Sequence, residues 1–222
     1  MELIFILIAF LIVSLSQIIL RGTYSKYKDV DINSNLTGSE VARKILHDNN
    51  LDDIDVVEIS GELTDNFNNS KRRVSLSSDI YNGKSIASCA VAAHECGHAM
   101  QYKTGYIPIK IRNILVPFVN IGNTIGYIII VISLAASITK LFLLGLILIS
   151  LALLFQLVTL PCEFDASRRA NRMLLEMGLI TFEEQHGTKK MLKAAAFTYV
   201  AGLISSILQI LRLIYIFTGR DN

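Results

Sequence analysis

The sequence contains few charged residues for its length. Asp, Glu, Lys and Arg make up 18% of the 222 residues, whereas hydrophobic residues make up 52%. This apolar content is concentrated in blocks and is too high for a soluble protein of this size. The composition therefore excludes a wholly soluble chain and predicts membrane spans.

Cysteine is also scarce, and clustered positive charge is missing. The three cysteines, Cys89, Cys96 and Cys162, are odd in number and lack framework spacing, which excludes a disulfide scaffold. The net charge is only +2, and no basic patch is interleaved with aromatic residues. We therefore expect no nucleic-acid partner.

Four apolar segments of 18 to 25 residues are long enough to span a bilayer, which takes about 20 residues. The first begins after Met1-Glu2 and ends at Leu20-Arg21, without a basic start or a small-residue cleavage site, so we expect an uncleaved anchor rather than a signal peptide. The last could instead be a core helix of a soluble domain. The segments are 3–20, Asn113–Ser137, 141–160 and 194–217.

The basic residues predict the membrane topology. They fall in three groups, within 21–28, 103–112 and 168–193. With four spans, all three groups lie on one side, which the positive-inside rule assigns to the cytoplasm. The hairpin formed by the second and third spans then returns the chain to the same membrane face.

The region before the second span has the pattern of a small α+β domain. Thr37-Gly38-Ser39-Glu40 is a capping box, which predicts a helix that ends near Asn49. Residues 55–60 and 73–77 are predicted strands, with a polar loop at 61–70 between them. The two strands could form an ordinary structural hairpin, or an edge that pairs with an extended peptide.

The segment His94-Glu95-Cys96-Gly97-His98 carries the chemistry. No proline interrupts residues 85–101, and Ser85 can cap the start of a helix there. On a helix, His94 and His98 share one face and can ligate one metal ion, for which zinc is suited. Glu95 can take the proton from a zinc-bound water and return it to the leaving amine, whereas Cys96 points away from the histidine face.

A catalytic zinc usually has three protein ligands, so one more is needed from the cytoplasmic side. The candidates are Glu163, Asp165, His47 and His186. Glu163 is favoured, because it lies just after the hairpin, where Pro161 is expected to begin a new helix. His47, on a helix, and His186, in a glycine-containing loop, are expected to be surface residues.

Four segments together resemble two related groups of membrane zinc peptidases. They are Thr37–Ala42, Leu76–Tyr81, His94–His98 and Glu163–Ser167. One group comprises the endopeptidases of the HtpX and CAAX-prenyl-protease type, and the closer one comprises the YugP-like neutral zinc metallopeptidases. The resemblance implies a bacterial plasma-membrane protein.

The resemblance also implies a gluzincin-like site, with His94, His98 and Glu163 on zinc and Glu95 as the base. Ser167 departs from the HtpX-type pattern, because that pattern has an Asp at this position. A serine there would be a weaker partner for a zinc ligand than an Asp, which could lower the affinity for zinc. Alternatively, Asp165 could take the place of the missing Asp.

We therefore expect a mostly α membrane protein with about four transmembrane helices and a small α+β zincin-like domain that contains a short β-sheet. The expected regions are an anchor at 1–20, a cytoplasmic zincin-like region at 21–112, a transmembrane hairpin at 113–160, cytoplasmic helices at 161–193 and a fourth transmembrane helix with the tail at 194–222.

The expected function is that of a multi-pass zinc endopeptidase of the plasma membrane whose site faces the cytoplasm. Its expected partners are the bilayer and a peptide or membrane-protein substrate. The alternatives are an inactive zinc-binding scaffold and a zinc hydrolase of a non-peptide bond. Glu95 argues against the scaffold, because a structural site needs no general base and usually has four protein ligands.

Overall fold

The computed structural model describes residues 2–136 and 138–219. The described residues form seven helices and three strands, which confirms a mostly α protein with a small α+β region. Met1, Ser137 and 220–222, which belong to the predicted spans and tail, lie outside the described residues. The elements are α1 (Glu2–Tyr27), α2 (Gly38–Asp48), β1 (Asp55–Ile59), β2 (Asn66–Asn68), β3 (Arg73–Ser77), α3 (Ser78–Asn82), α4 (Ile86–Lys103), α5 (Ile107–Ala136), α6 (Thr139–Glu176) and α7 (Phe182–Thr218).

The chain divides into two compact units. The apolar unit contains the described parts of 1–17, 107–161 and 198–222, and the α/β unit contains 18–106 and 162–197. The division passes through the long helices α1, α6 and α7, so each of them contributes a segment to both units.

The helices α1, α5, α6 and α7 are long and apolar enough to cross a membrane, which confirms the expectation of four spans. In each helix, at most 17% of the most apolar 18-residue stretch is buried within the protein. Exposed apolar side chains on this scale are suited to contact with lipid rather than water. For α7 the buried share is 11%, which favours a span over a core helix.

Close contact between α5 and α6 stabilises the apolar unit. A Cβ atom on Gly126 would lie 3.1 Å from the Gly145 carbonyl oxygen and 2.9 Å from the Ile149 side chain. The absent side chain therefore allows the two backbones to approach. In the same unit the rings of Phe142 and Phe217 stack with centroids 4.3 Å apart.

Two helix boundaries differ from the sequence-based expectations. Pro161 does not begin a new helix, because α6 runs continuously from the third span to Glu176. Helix-breaking residues are tolerated where a long membrane helix satisfies the other backbone groups. Similarly, α7 begins at Phe182, before the predicted start of the fourth span at 194, so His186 lies on a helix rather than in a loop.

The sheet of the α/β unit has the order β1-β3-β2. β1 and β3 pair in parallel, which excludes the ordinary hairpin that was one of the two alternatives for these strands. The connecting segment contributes β2, which was predicted as loop and which pairs antiparallel with β3. A parallel pair needs a crossover of this kind, because the chain must return to the end at which β1 began.

Helix α2 packs against α4 and begins at the predicted capping box. The Glu40 amide donates to the Thr37 hydroxyl at 3.2 Å, and the Thr37 amide donates to the Glu40 carboxylate at 2.7 Å. α2 ends at Asp48, with Asn49 as its C-cap, as predicted. Its apolar face, which includes Val41 and Ile45, is buried in a core shared with α4 and the sheet.

Candidate metal centre

Helix α4 presents the two histidines of the motif. Its N-cap is Ser85, whose hydroxyl accepts a hydrogen bond from the Ser88 amide at 3.1 Å, and this confirms the predicted start. His94 and His98 lie one turn apart, with ring centroids separated by 4.8 Å at an interplanar angle of 80°. Both rings are therefore available on one face of the helix.

Helix α6 brings a carboxylate to these rings. Glu163 is 1% exposed, and its Oε2 lies 3.2 Å from His94 Nε2 and 3.6 Å from His98 Nε2. The ligand atoms of the three residues all lie within 4.8 Å of one another. Three donor atoms at this separation can bind a single metal ion.

A glycine allows α4 and α6 to approach at this point. A Cβ atom on Gly97 would lie only 2.5 Å from the carbonyl oxygen of Ala166. Ala166 is itself small and fully buried. Since Gly97 precedes His98 and Ala166 lies one turn after Glu163, the contact fixes the distance between the histidine pair and the carboxylate.

The outer nitrogen of each imidazole has its own partner. His98 Nδ1 lies 3.0 Å from Gln101 Oε1, and His94 Nδ1 lies 3.3 Å from the Ser167 hydroxyl. In the tautomer that donates from Nδ1, both Nε2 lone pairs face Glu163. Partners of this kind fix the ring orientation and raise the basicity of a metal-ligating histidine.

A buried side-chain network extends behind His98. Gln101 is fully buried, and its amide nitrogen donates to the Cys162 carbonyl at 2.7 Å and to Asp165 Oδ2 at 3.0 Å. Arg169 Nε donates to the same Asp165 oxygen at 2.6 Å. Asp165, which was a candidate third ligand, is thus engaged with Gln101 and Arg169.

Glu95 is buried beside the cluster, with 7% of its surface exposed. Burial raises the pKa of its carboxyl group, while the neighbouring His94 and His98 oppose that change. Burial lowers the pKa of His98, but its interactions with Glu163 and Glu95 outweigh burial and raise the pKa overall. Glu95 therefore binds a proton more readily than an exposed glutamate does.

The donor set fits zinc. Two imidazole nitrogens and one carboxylate oxygen are ligands that Zn²⁺ accepts, and three protein ligands are typical of catalytic zinc sites with an open position. The buried, converging arrangement of His94, His98 and Glu163 supports this fit, because charged groups in a protein interior are paired or coordinate metal ions.

The other predicted candidates lie elsewhere. His47 is exposed and forms a 2.7 Å ion pair with Asp52, and His186 is exposed on α7. Cys96 is fully buried, with its sulfur 3.7 Å from the Ala42 carbonyl oxygen, in agreement with its interpretation as a packing residue.

Sequence reasoning missed Gln101. A glutamine near the end of a helix has no recognised ligand pattern, and its partners Cys162 and Asp165 lie more than 60 positions further along the chain. The available signal was its i+3 spacing from His98, which places the two residues on neighbouring positions of the helix surface.

Comparison with known proteins gives a consistent result. Residues 2–218 match the family described as "Putative neutral zinc metallopeptidase". The chain is 40% identical over 208 residues to the "Putative membrane protease YugP" of Bacillus subtilis (strain 168), covering 93% of this chain and 92% of that protein. No solved structure matches the chain significantly.

Proposed function

Because this chain belongs to the neutral zinc metallopeptidase family, we propose that it is an integral-membrane endopeptidase whose zinc is held by His94, His98 and Glu163. The observation that carries the proposal is the convergence of these three ligand atoms beside the buried carboxyl group of Glu95. A purely structural zinc site would have four protein ligands and no need for that carboxyl group.

Zinc, when bound, supplies Lewis acidity that polarises a carbonyl group and lowers the pKa of a coordinated water to about 7. In the proposed mechanism, Glu95 removes a proton from the attacking water and delivers it to the leaving nitrogen of the cleaved peptide. Ser167 and Gln101 hold the His94 and His98 rings in position throughout. The buried setting strengthens these charge interactions.

A peptide substrate is supported by the sheet. β2 is a terminal strand, so one of its edges faces away from β3 and can pair with an extended chain. The ring of Phe67 on β2 contacts that of Tyr102 on α4 with centroids 5.7 Å apart, which associates this strand with the helix of the motif. We propose that short-lived or misfolded membrane proteins provide such segments.

The proposed orientation places the metal centre in the cytoplasm. The three basic groups that flank the spans support this topology through the positive-inside rule. In this arrangement 1–20, 113–160 and 194–222 form the membrane part, whereas 21–112 and 161–193 form the cytoplasmic part.

Replacement of the proposed base tests the mechanism. Glu95→Gln removes the proton acceptor but none of the three ligands, so the purified protein should retain its zinc and lose at least about a hundredfold in peptide cleavage. Zinc is measured by elemental mass spectrometry and cleavage with an unfolded protein substrate. Glu183→Gln, at an exposed glutamate on α7, is the matched control. Full activity of Glu95→Gln would refute the mechanism.

Replacement of the third ligand tests the site itself. Glu163→Ala removes one of three ligands, so we expect little zinc to remain after dialysis at neutral pH. Glu176→Ala changes an exposed glutamate on the same helix and should leave the zinc content unchanged. If Glu163→Ala retains stoichiometric zinc, the ligand set must include a different residue.

A further inference from the structure

An open groove lies between α1 and α7 within the α/β unit, and it encloses about 310 Å³. The two residues that α1 contributes to the groove are one helical turn apart, and the four residues that α7 contributes lie on one face of that helix. The lining residues are Ile19, Thr23, Lys190, Lys193, Ala194 and Phe197.

Next to the groove, α7 packs directly against the end of α1. A Cβ atom on Gly187 would lie 3.0 Å from the Tyr27 ring and 2.9 Å from the Ile86 side chain, so α7 is in contact with the end of α1 there. From this contact the groove runs along α7 from Lys190 to Phe197. Each helix then continues into its long apolar stretch.

The lining of the groove is mostly apolar, and its two basic residues both lie on the α7 wall. Lys190 is one helical turn from Gly187, and Lys193 is one turn further along. The α1 wall offers little polarity, because the Thr23 hydroxyl donates to the Ile19 carbonyl at 2.7 Å. None of the six lining residues is acidic.

We propose that this groove binds one anionic phospholipid, with its phosphate against Lys190 and Lys193 and its acyl chain along Ile19, Ala194 and Phe197. Charge selects the headgroup, since basic pockets beside membrane helices attract anionic lipids. The α7 wall from 190 to 197 is about 10 Å long at the helical rise, which accommodates a phosphate and the first part of a chain. The proposal is independent of peptide hydrolysis.

The test uses the full chain in nanodiscs that contain equal amounts of phosphatidylglycerol and phosphatidylcholine. Native mass spectrometry counts the lipids that remain bound after release. In Lys190→Gln/Lys193→Gln, the affinity for phosphatidylglycerol should fall about tenfold or more, and phosphatidylcholine binding should not change. Lys28→Gln/Lys189→Gln removes two other exposed lysines and should have less than a twofold effect. Circular dichroism checks that both variants are folded.

If both double variants lost the same affinity for phosphatidylglycerol, the proposal would be overturned, because the lipid would then be attracted by the general positive charge of the surface. Unchanged phosphatidylglycerol binding in Lys190→Gln/Lys193→Gln would also overturn it. A second experiment adds millimolar inorganic phosphate to the wild-type protein, which carries bound phosphatidylglycerol in a neutral detergent. We expect the lipid to stay bound. Displacement of the lipid by phosphate would overturn the proposal, because it would show a site for the anion alone.

Discussion

Gln101 is the residue through which α6 orients His98. It accepts from His98 Nδ1 in the ligating tautomer and donates to two oxygens of α6, the Cys162 carbonyl and the Asp165 carboxylate. A histidine that lost this acceptor would keep its place on α4 but not a fixed ring orientation. Gln101 is therefore a positioning residue for the proposed metal centre.

We predict that Gln101→Leu lowers zinc affinity by about 10- to 100-fold, because a side chain of similar size cannot accept from His98 Nδ1. Competition with a zinc chelator of known affinity measures the effect without reference to activity. Gln185→Leu is the control, since the Gln185 side-chain oxygen accepts a hydrogen bond from Lys189 on the same helix. An unchanged zinc affinity in Gln101→Leu would show that the orientation of His98 is fixed by packing alone.

Individual site residues could be predicted best where they lie within one helical turn of each other. His94 and His98 could be paired because four positions on a helix bring two side chains to one face. Glu163 could be favoured only through the predicted return of the chain after the hairpin. Gln101 could not be identified, because its role arises from contacts with a helix that is distant in sequence.

At the scale of elements, the crossing of α4 and α6 depends on Gly97. A Cβ atom added to Gly97 would meet the Ala166 carbonyl oxygen at 2.5 Å, and backbone atoms cannot move aside as a flexible side chain can. The crossing therefore tolerates no side chain at this position without a shift of one helix.

We predict that Gly97→Ala destabilises the protein by about 1–3 kcal/mol through overpacking and also reduces zinc retention, because the helices that carry the ligands separate. Gly22→Ala is the control. No atom lies within 4 Å of a Cβ there, so helix propensity should make this change neutral or stabilising by up to about 1 kcal/mol. Thermal unfolding with and without a chelator measures both effects, and equal stability of the two variants would contradict the prediction.

The positions of helices and strands could be predicted better than the way in which the strands pair. The capping residues Thr37 and Ser85 mark two helix starts correctly, because capping is a local interaction. The parallel pairing of β1 with β3 could not be read from the sequence, since it depends on β2, a short polar strand without alternation. The continuity of α6 through Pro161 likewise depends on the whole length of the helix rather than on one residue.

For the whole molecule, the number of spans determines on which side of the membrane the proposed metal centre lies. In the proposed topology, the four candidate spans place the α/β segments that follow the first and third spans on one side of the membrane, and the start of α6 on the other. The native cysteines Cys89, Cys96 and Cys162 are all buried, so they should give little background in labelling experiments.

We predict that a cysteine at the start of α6 and a cysteine in the α/β unit are labelled from opposite sides of the membrane. Lys140→Cys, at an exposed position near the start of α6, should react with a membrane-impermeant maleimide on intact cells. Lys71→Cys, which is exposed in the segment between β2 and β3, should react only after the membrane is permeabilised. The basic residues that flank the spans are the physical reason, because their translocation across the membrane is unfavourable. The reverse labelling pattern would place the proposed metal centre outside the cytoplasm and would restrict its substrates to extracytoplasmic segments.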